Sequence, residues 1–282
     1  MSISFRSFLA MAAVGLATAT SHAVLIKSGG NNTLFYDNFE GVSPVSTADH
    51  PDASGDYDPV ATTGSWTNLE PSGVTRAVQV TNFGTPGAFE GSQYLRNVRQ
   101  TSTSSTATNT FATFSQQTSG TIHAEFMYYA VNTAALPEKS TGMALQLTED
   151  DSPSFGDKTA SDYRFLLTNR ISDHMIRHYA PNAGDNDGTY TDTGVAYIPN
   201  QWQKWAFDIN LDTRTYTFSI DGGTPSATLP FFSVNQSTAG TFMFNNGADS
   251  SAFLLDAVVP EPASLGLTGA AGLLLAGMRR RA

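Results

Sequence analysis

Apolar and polar residues alternate with a period of two along most of this chain. Ile122, Ala124, Phe126, Tyr128 and Ala130 occupy alternate positions, as do Met143, Leu145 and Leu147, which is the pattern of strands with one face in a core. Trp205, Phe207, Ile209 and Leu211 alternate with Ala206, Asp208 and Asn210. A turn at Asp212 to Arg214 follows, and Tyr216, Phe218 and Ile220 alternate on the return, so the segment predicts a hairpin closed by Asp221-Gly222-Gly223. The same reading predicts strands over Leu34 to Phe39, Ala77 to Phe83, Thr110 to Phe114, Tyr163 to Thr168, Thr241 to Phe244 and Ala252 to Val258. About a dozen strands without a convincing helical period predict an all-β domain of two packed sheets.

Two stretches break the alternation. Ser43 to Ser65 is rich in Pro, Gly and Asp, and Ala180 to Asp192 is acidic. Both read as long loops, the part of a fold that most often carries function. The Ser/Thr tract from Gln100 to Asn109 reads as an exposed strand flank. Hydrophobic residues make up 40% of the chain and charged residues 14%, against ~25% charged in an ordinary soluble domain.

The two ends follow different rules. Arg6 precedes an apolar stretch from Phe8 to Ala19, and Ser21-His22-Ala23 fits the small-x-small cleavage pattern. Residues 1–23 therefore read as a secretory signal peptide, with cleavage between Ala23 and Val24. At the other end, Pro260-Glu261-Pro262 precedes an uncharged run of 16 residues, Ala263 to Met278, and then Arg279, Arg280 and Arg281. As a helix that run rises about 24 Å, short of the ~30 Å hydrocarbon core, so it predicts a marginal transmembrane helix. Arginines resist translocation, so the triplet acts as a stop-transfer tail and leaves the preceding chain on the far side of the membrane.

Removing the ends leaves 24–259, enough for one large β-domain. Of 15 Lys and Arg and 25 Asp and Glu, Arg6, the terminal arginines and Glu261 lie in the ends. The body keeps 11 basic against 24 acidic residues, a net charge of -13. Such a body repels nucleic acid and anionic polymers unless divalent cations bridge them. With no cysteine, neither a disulfide nor a lipid-modified cysteine is available, and stability must come from the core.

The ordered tail resembles the sorting signal of PEP-CTERM proteins, with Pro260-Glu261-Pro262 as the motif, 263–278 as the helix and Arg279 to Arg281 as the basic end. That resemblance implies an exosortase as partner, a membrane transpeptidase that removes the tail, with transient membrane anchoring before the protein reaches the cell surface or extracellular matrix. A second, looser resemblance spans most of the body. Phe35-Tyr36-Asp37-Asn38-Phe39-Glu40, Trp202 and Trp205 leading into the Asp221-Gly222 hairpin, and Phe253-Leu254-Leu255-Asp256 are similar to a concanavalin A-like or LamG-like jelly-roll sandwich. It implies that the first and last strands are neighbours, Leu34 to Phe39 beside Ala252 to Val258.

Calcium is the cofactor for which the sequence supplies ligands, since hard cations take several oxygens. Asp185-Asn186-Asp187-Gly188 fails as an EF-hand, because Ala183 and Gly194 fall at the first and last ligand positions. A site built from separate loops would draw on Asp185, Asp187 and Asp192, or on Asp49, Asp52, Asp56 and Asp58. Glycoside hydrolysis needs two carboxylates flanking the bond, and Glu125 has none at i+2 or i+4. The segment His174-Met175-Ile176-Arg177-His178 lacks the glutamate of a metalloprotease, although two histidines on one strand face would suit a metal pair. Thr121-Ile122-His123 matches an alginate-lyase strand only in its last two residues.

Sugar binding asks for less: aromatic rings and a few polar groups on one surface. Trp66, Tyr129 and Glu125 are the residues selected for it, with Trp202, Tyr57, Tyr179 and Tyr190 as further aromatics. The expectation is an exported, non-catalytic protein that binds or structures exopolysaccharide. The alternatives are a polysaccharide hydrolase or lyase on the same fold and a structural matrix protein with protein partners.

Overall fold

The computed structural model describes residues 24–41, 60–69, 75–81, 86–101, 108–131, 140–146, 163–181, 188–232, 237–246 and 252–256. Among these, sixteen strands form two antiparallel sheets and there is no helix. The nine-stranded sheet contains β1 (Val24–Ser28), β2 (Thr33–Asp37), β4 (Thr75–Thr81), β5 (Tyr94–Thr101), β7 (Thr121–Val131), β12 (Trp202–Asn210), β13 (Thr215–Ile220), β14 (Leu229–Pro230) and β16 (Ala252–Asp256). The seven-stranded sheet contains β3 (Ser65–Leu69), β6 (Thr108–Gln117), β8 (Ser140–Gln146), β9 (Tyr163–Arg170), β10 (Met175–Pro181), β11 (Gly188–Ala196) and β15 (Ala239–Asn246). Its order is β11-β10-β9-β8-β15-β6-β3.

Strand β7 organises the larger sheet. One edge pairs with β12 over nine consecutive positions, from Trp202 opposite Tyr129 to Asn210 opposite Thr121. The other edge is shared. Strand β16 occupies Met127 to Val131, and β1 occupies Ile122 to Phe126. Asp256 therefore ends opposite Met127, and Val24 begins opposite Phe126.

The core follows from the alternation. Phe126 and Phe207 from the larger sheet meet Phe242 from the smaller at ring separations of 5.6 and 5.3 Å, and Phe165 stacks on Phe207 at 5.6 Å and on Tyr216 at 4.3 Å. Burying such rings contributes on the order of 2–3 kcal/mol each through lost apolar surface, before any gain from edge-to-face geometry. Polar residues also enter the sandwich. Asn97 donates to Thr110 at 3.1 Å, Asn246 to Asn97 at 3.2 Å, and Asn169 to Thr141 at 3.1 Å, all buried.

Three expectations need correction. Leu34 to Phe39 does not pair with the last strand: β2 pairs with β1, and the neighbours of β16 are β7 and β5. The first and last strands meet end to end along β7, because β1 takes the adjacent half of that edge. The acidic stretch ending at Asp192 is not all loop, since β11 begins at Gly188. It is an edge strand exposed along most of its length, so it has no apolar stripe to betray it. Ser65 opens β3.

Candidate functional site

The positions of β7 that alternate with its core stripe point to the outer face of the larger sheet. His123, Glu125, Met127 and Tyr129 lie there, opposite Asp208, Ala206, Lys204 and Trp202 of β12. Side chains from two adjacent strands thus form one tract, polar at one end and aromatic at the other.

At the polar end, His123 bridges two carboxylates. Its Nδ1 lies 2.8 Å from Asp208 Oδ1, and its Nε2 lies 3.6 Å from Glu125 Oε2. Lys204 Nζ approaches the same Glu125 oxygen at 3.0 Å. The hydrogen bond from His123, helped by Lys204, pulls the Glu125 carboxyl down to about 2 despite its partial burial. In return, Glu125 and then Asp208 raise His123 above its ordinary range, against the opposing effect of desolvation. A glycosidase acid must hold its proton near neutral pH. Glu125 is instead locked as a hydrogen-bond acceptor, with lysine and histidine donors beside it.

At the aromatic end, Trp202 is the hub. Tyr129, Tyr94 and Phe89 surround it at ring separations of 5.5, 6.1 and 6.3 Å, each steeply inclined to the indole. Tyr94 is buried, whereas Phe89 is 45% exposed.

Phe89 belongs to a segment, 86–93, that straps the outer face, and two carboxylates hold it. Asp256, buried at the end of β16, accepts the backbone N–H of Phe89 and, at 3.1 Å, that of Glu90. Glu40 accepts the N–H groups of Ser92 and Gln93 at 2.7 and 2.9 Å and the Ser92 hydroxyl at 2.9 Å. The strap also accepts the Trp202 Nε1 proton, at 3.2 Å, on the Gly87 carbonyl. Glu40 is aimed by the turn before it. Phe39 adopts a left-handed φ of 58°, and its N–H is fixed by Asp37 Oδ1 at 2.8 Å. The run Asp37-Asn38-Phe39-Glu40 is thus a structural clamp.

Of the three residues selected for sugar binding, Tyr129 and Glu125 share this tract and Trp66 does not. Trp66 sits on β3, packs against Phe35 at 4.8 Å and Phe39 at 5.8 Å, and donates Nε1 to Asp37 Oδ2 at 2.5 Å. It is half-buried against the core. Asp192 lies on β11 and pairs with Arg177 Nε at 2.6 Å. Asp185 and Asp187, like 49–58, lie outside the described residues, as do Ala23, the Pro260-Glu261-Pro262 motif and Arg279 to Arg281. Among the described residues no three His, Asp or Glu side chains cluster to hold a metal, and none forms a membrane-length apolar helix. His174 precedes β10 and packs against Tyr197, while His178 is buried on β10, so the two do not share a strand face.

Sequence reasoning missed Lys204, Asp208 and Phe89. The first two are legible only through the β7–β12 register, which places Asp208 opposite His123. Phe89 carries no periodic signal.

No protein-family model matches the chain, and no curated protein matches it in sequence. Solved structures of similar outline include a sialidase (TM-score 0.44, 9% identity), of which the chain spans 16% with 68% of its own length. They also include the carbohydrate-binding module CBM66 from Bacillus subtilis (TM-score 0.42, 10% identity, 69% of this chain and 94% of that one). A third is the lectin UEA-II complexed with galactose (TM-score 0.41, 10% identity, 68% and 95%). Likeness at this depth carries no functional inference, so the reading that follows rests on the side chains of this chain.

Proposed function

We propose that this protein is an exported, non-catalytic saccharide-binding domain of concanavalin A-like jelly-roll type, which engages glycan on the outer face of its nine-stranded sheet. The observation that carries the reading is the single tract joining the Trp202 ring cluster to the charge-compensated Glu125, Lys204, His123 and Asp208. Aromatic rings suit the apolar faces of sugar rings, and paired charges offer both donors and acceptors to hydroxyls. The low pKa of Glu125 speaks against a hydrolase acid at this position.

Retention of the full chain on a glycan array and on isolated exopolysaccharide, with and without calcium, tests the reading. Saccharide retention lost in Trp202→Ala is the expected result. If no glycan is retained under either condition, the binding function falls.

Delivery is a separate part of the proposal. The signal peptide through Ala23 and the Pro260-Glu261-Pro262 tail support export, transient anchoring and exosortase processing to the surface or matrix. Mass spectrometry of the exported protein tests it. The tail is expected to be absent in cells with an exosortase and retained in a deletion strain. An intact tail in both would remove exosortase processing from the account.

A further inference from the structure

The two ends of the tract are far apart relative to one sugar. Tyr129 and Trp202 face each other across β7 and β12, and so do His123 and Asp208, six positions further along. At ~3.4 Å per strand residue the two stations are separated by about 20 Å, longer than any single pyranose ring. The pairing between them runs through consecutive positions without a bulge, so both stations lie on one face. Lys204 and Glu125 lie between them, joined at 3.0 Å.

The two ends differ. At the aromatic end the strap crosses β7, its Gly87 carbonyl on Trp202 of β12 and its Phe89 and Glu90 amides on Asp256 of β16, and Met127 of β7 is buried there. Towards the polar end, β13 places Thr217 opposite Asp208 and Ser219 opposite Ala206, small polar residues that leave that side low. The tract is thus bounded by the strap at Trp202 and low along its β13 side towards Asp208.

Charge narrows the ligand further. Along the track, Lys204 faces Glu125 and His123 faces Asp208. Lys27 of β1 pairs directly with His123 on the other edge of β7. The track is close to electroneutral in a chain of net charge -10. An acidic polymer would gain no net attraction from the track and would be repelled by the body. Asp208 is 77% exposed, and its carboxylate can accept hydroxyl protons without being stripped of water.

We infer that the ligand is a linear, uncharged oligosaccharide segment of several rings laid along β7 and β12, rather than a single terminal sugar. This rests on the saccharide reading above. One end of the segment packs on Trp202 and Tyr129, and the other hydrogen-bonds to Asp208 and His123.

Titration calorimetry of the full chain with neutral gluco- and manno-oligosaccharide ladders, from monomer to octamer, tests the inference, with oligogalacturonates as the acidic arm. Affinity for at least one neutral series should rise about tenfold or more between dimer and pentamer and then level off. It should change little between low and high salt. Trp202→Ala and the exposed Asp208→Asn, at opposite ends, should each reduce pentamer affinity towards that of shorter oligomers.

A monosaccharide bound as tightly as the pentamer would overturn the extended track while leaving the saccharide function standing. Binding of acidic oligomers alone, weakening with salt, would overturn the uncharged ligand. No binding at any length or charge would overturn both this inference and the function on which it rests.

Discussion

Asp37 is a carboxyl group placed where water barely reaches. Desolvation raises its pKa from 3.8 to about 6, outweighing the stabilising hydrogen bonds from Phe39 N–H and Trp66 Nε1. The folded state therefore holds this proton more tightly than the unfolded chain. The associated stability is complete below about pH 4 and is lost as pH rises through about 6. Denaturation midpoints of wild type and Asp37→Asn should converge or cross over this window, with wild type losing on the order of 2 kcal/mol relative to the variant. A constant difference from pH 4 to 7 would contradict it. Glu125 has the opposite sign: its contribution is present above about pH 4.5 and lost as pH falls towards 2. In Glu125→Gln the His123 ring should titrate at lower pH than in wild type, a shift read from its ring-proton NMR signal. Glu125 and Tyr129 were legible as outward residues because the strand period alone decides their face. Trp66 was not, since an edge strand of five residues gives too few positions to tell a core-facing ring from a rim-facing one. Its contacts with Asp37, Phe35 and Phe39 show which way it points.

Among the elements, the strap depends on one tight approach. A Cβ on Gly91 would lie 2.3 Å from Glu40 Oε1, and Gly91 has a φ of +66°. Gly91→Ala should therefore cost on the order of 2 kcal/mol, combining left-handed strain with displacement of the clamp. The backbone amides of Ser92 and Gln93 should exchange faster, as they should in Glu40→Gln, and Trp202 fluorescence should shift to the red as Phe89 loosens. Unchanged exchange at both amides would show that Glu40 is not what holds the strap. Strands with a clear apolar stripe, such as β7, β12 and β13, were readable from sequence because one face is core and the other is not. Among the strands not predicted, three were hidden for separate reasons. In β5 the core-facing Asn97 breaks the alternation, in β1 Leu25 is covered on the outer face, and β11 has no buried stripe. The strap itself has no periodicity at all; its order comes from Glu40 and Asp256, distant in sequence.

At the scale of the molecule, Val24 opens β1 opposite Asp37 as well as opposite Phe126. Cleavage between Ala23 and Val24 would put an α-ammonium on the residue paired with Asp37, and a positive charge near that carboxyl would lower its pKa. A chain beginning at Val24 should then be more stable at pH 7 than one retaining residues 1–23. Asp37→Asn should erase most of that difference. Equal stability in the presence of Asp37 would mean that the new terminus does not reach the carboxyl. The larger pattern was beyond reach of sequence reasoning, which had β2 beside the last strand, because nothing local in Val24 to Ser28 announces that it fills half of an edge. In the fold, β16 and β1 run in the same direction along β7, the one stopping at Met127 and the other starting at Phe126. They amount to one strand with a nick in it. Entry to and exit from the folded unit coincide at that nick, so a short splice from the end of β16 to Val24, with new ends opened at the exposed Gly29-Gly30 turn, would yield a circularly permuted chain whose strand along β7 is unbroken.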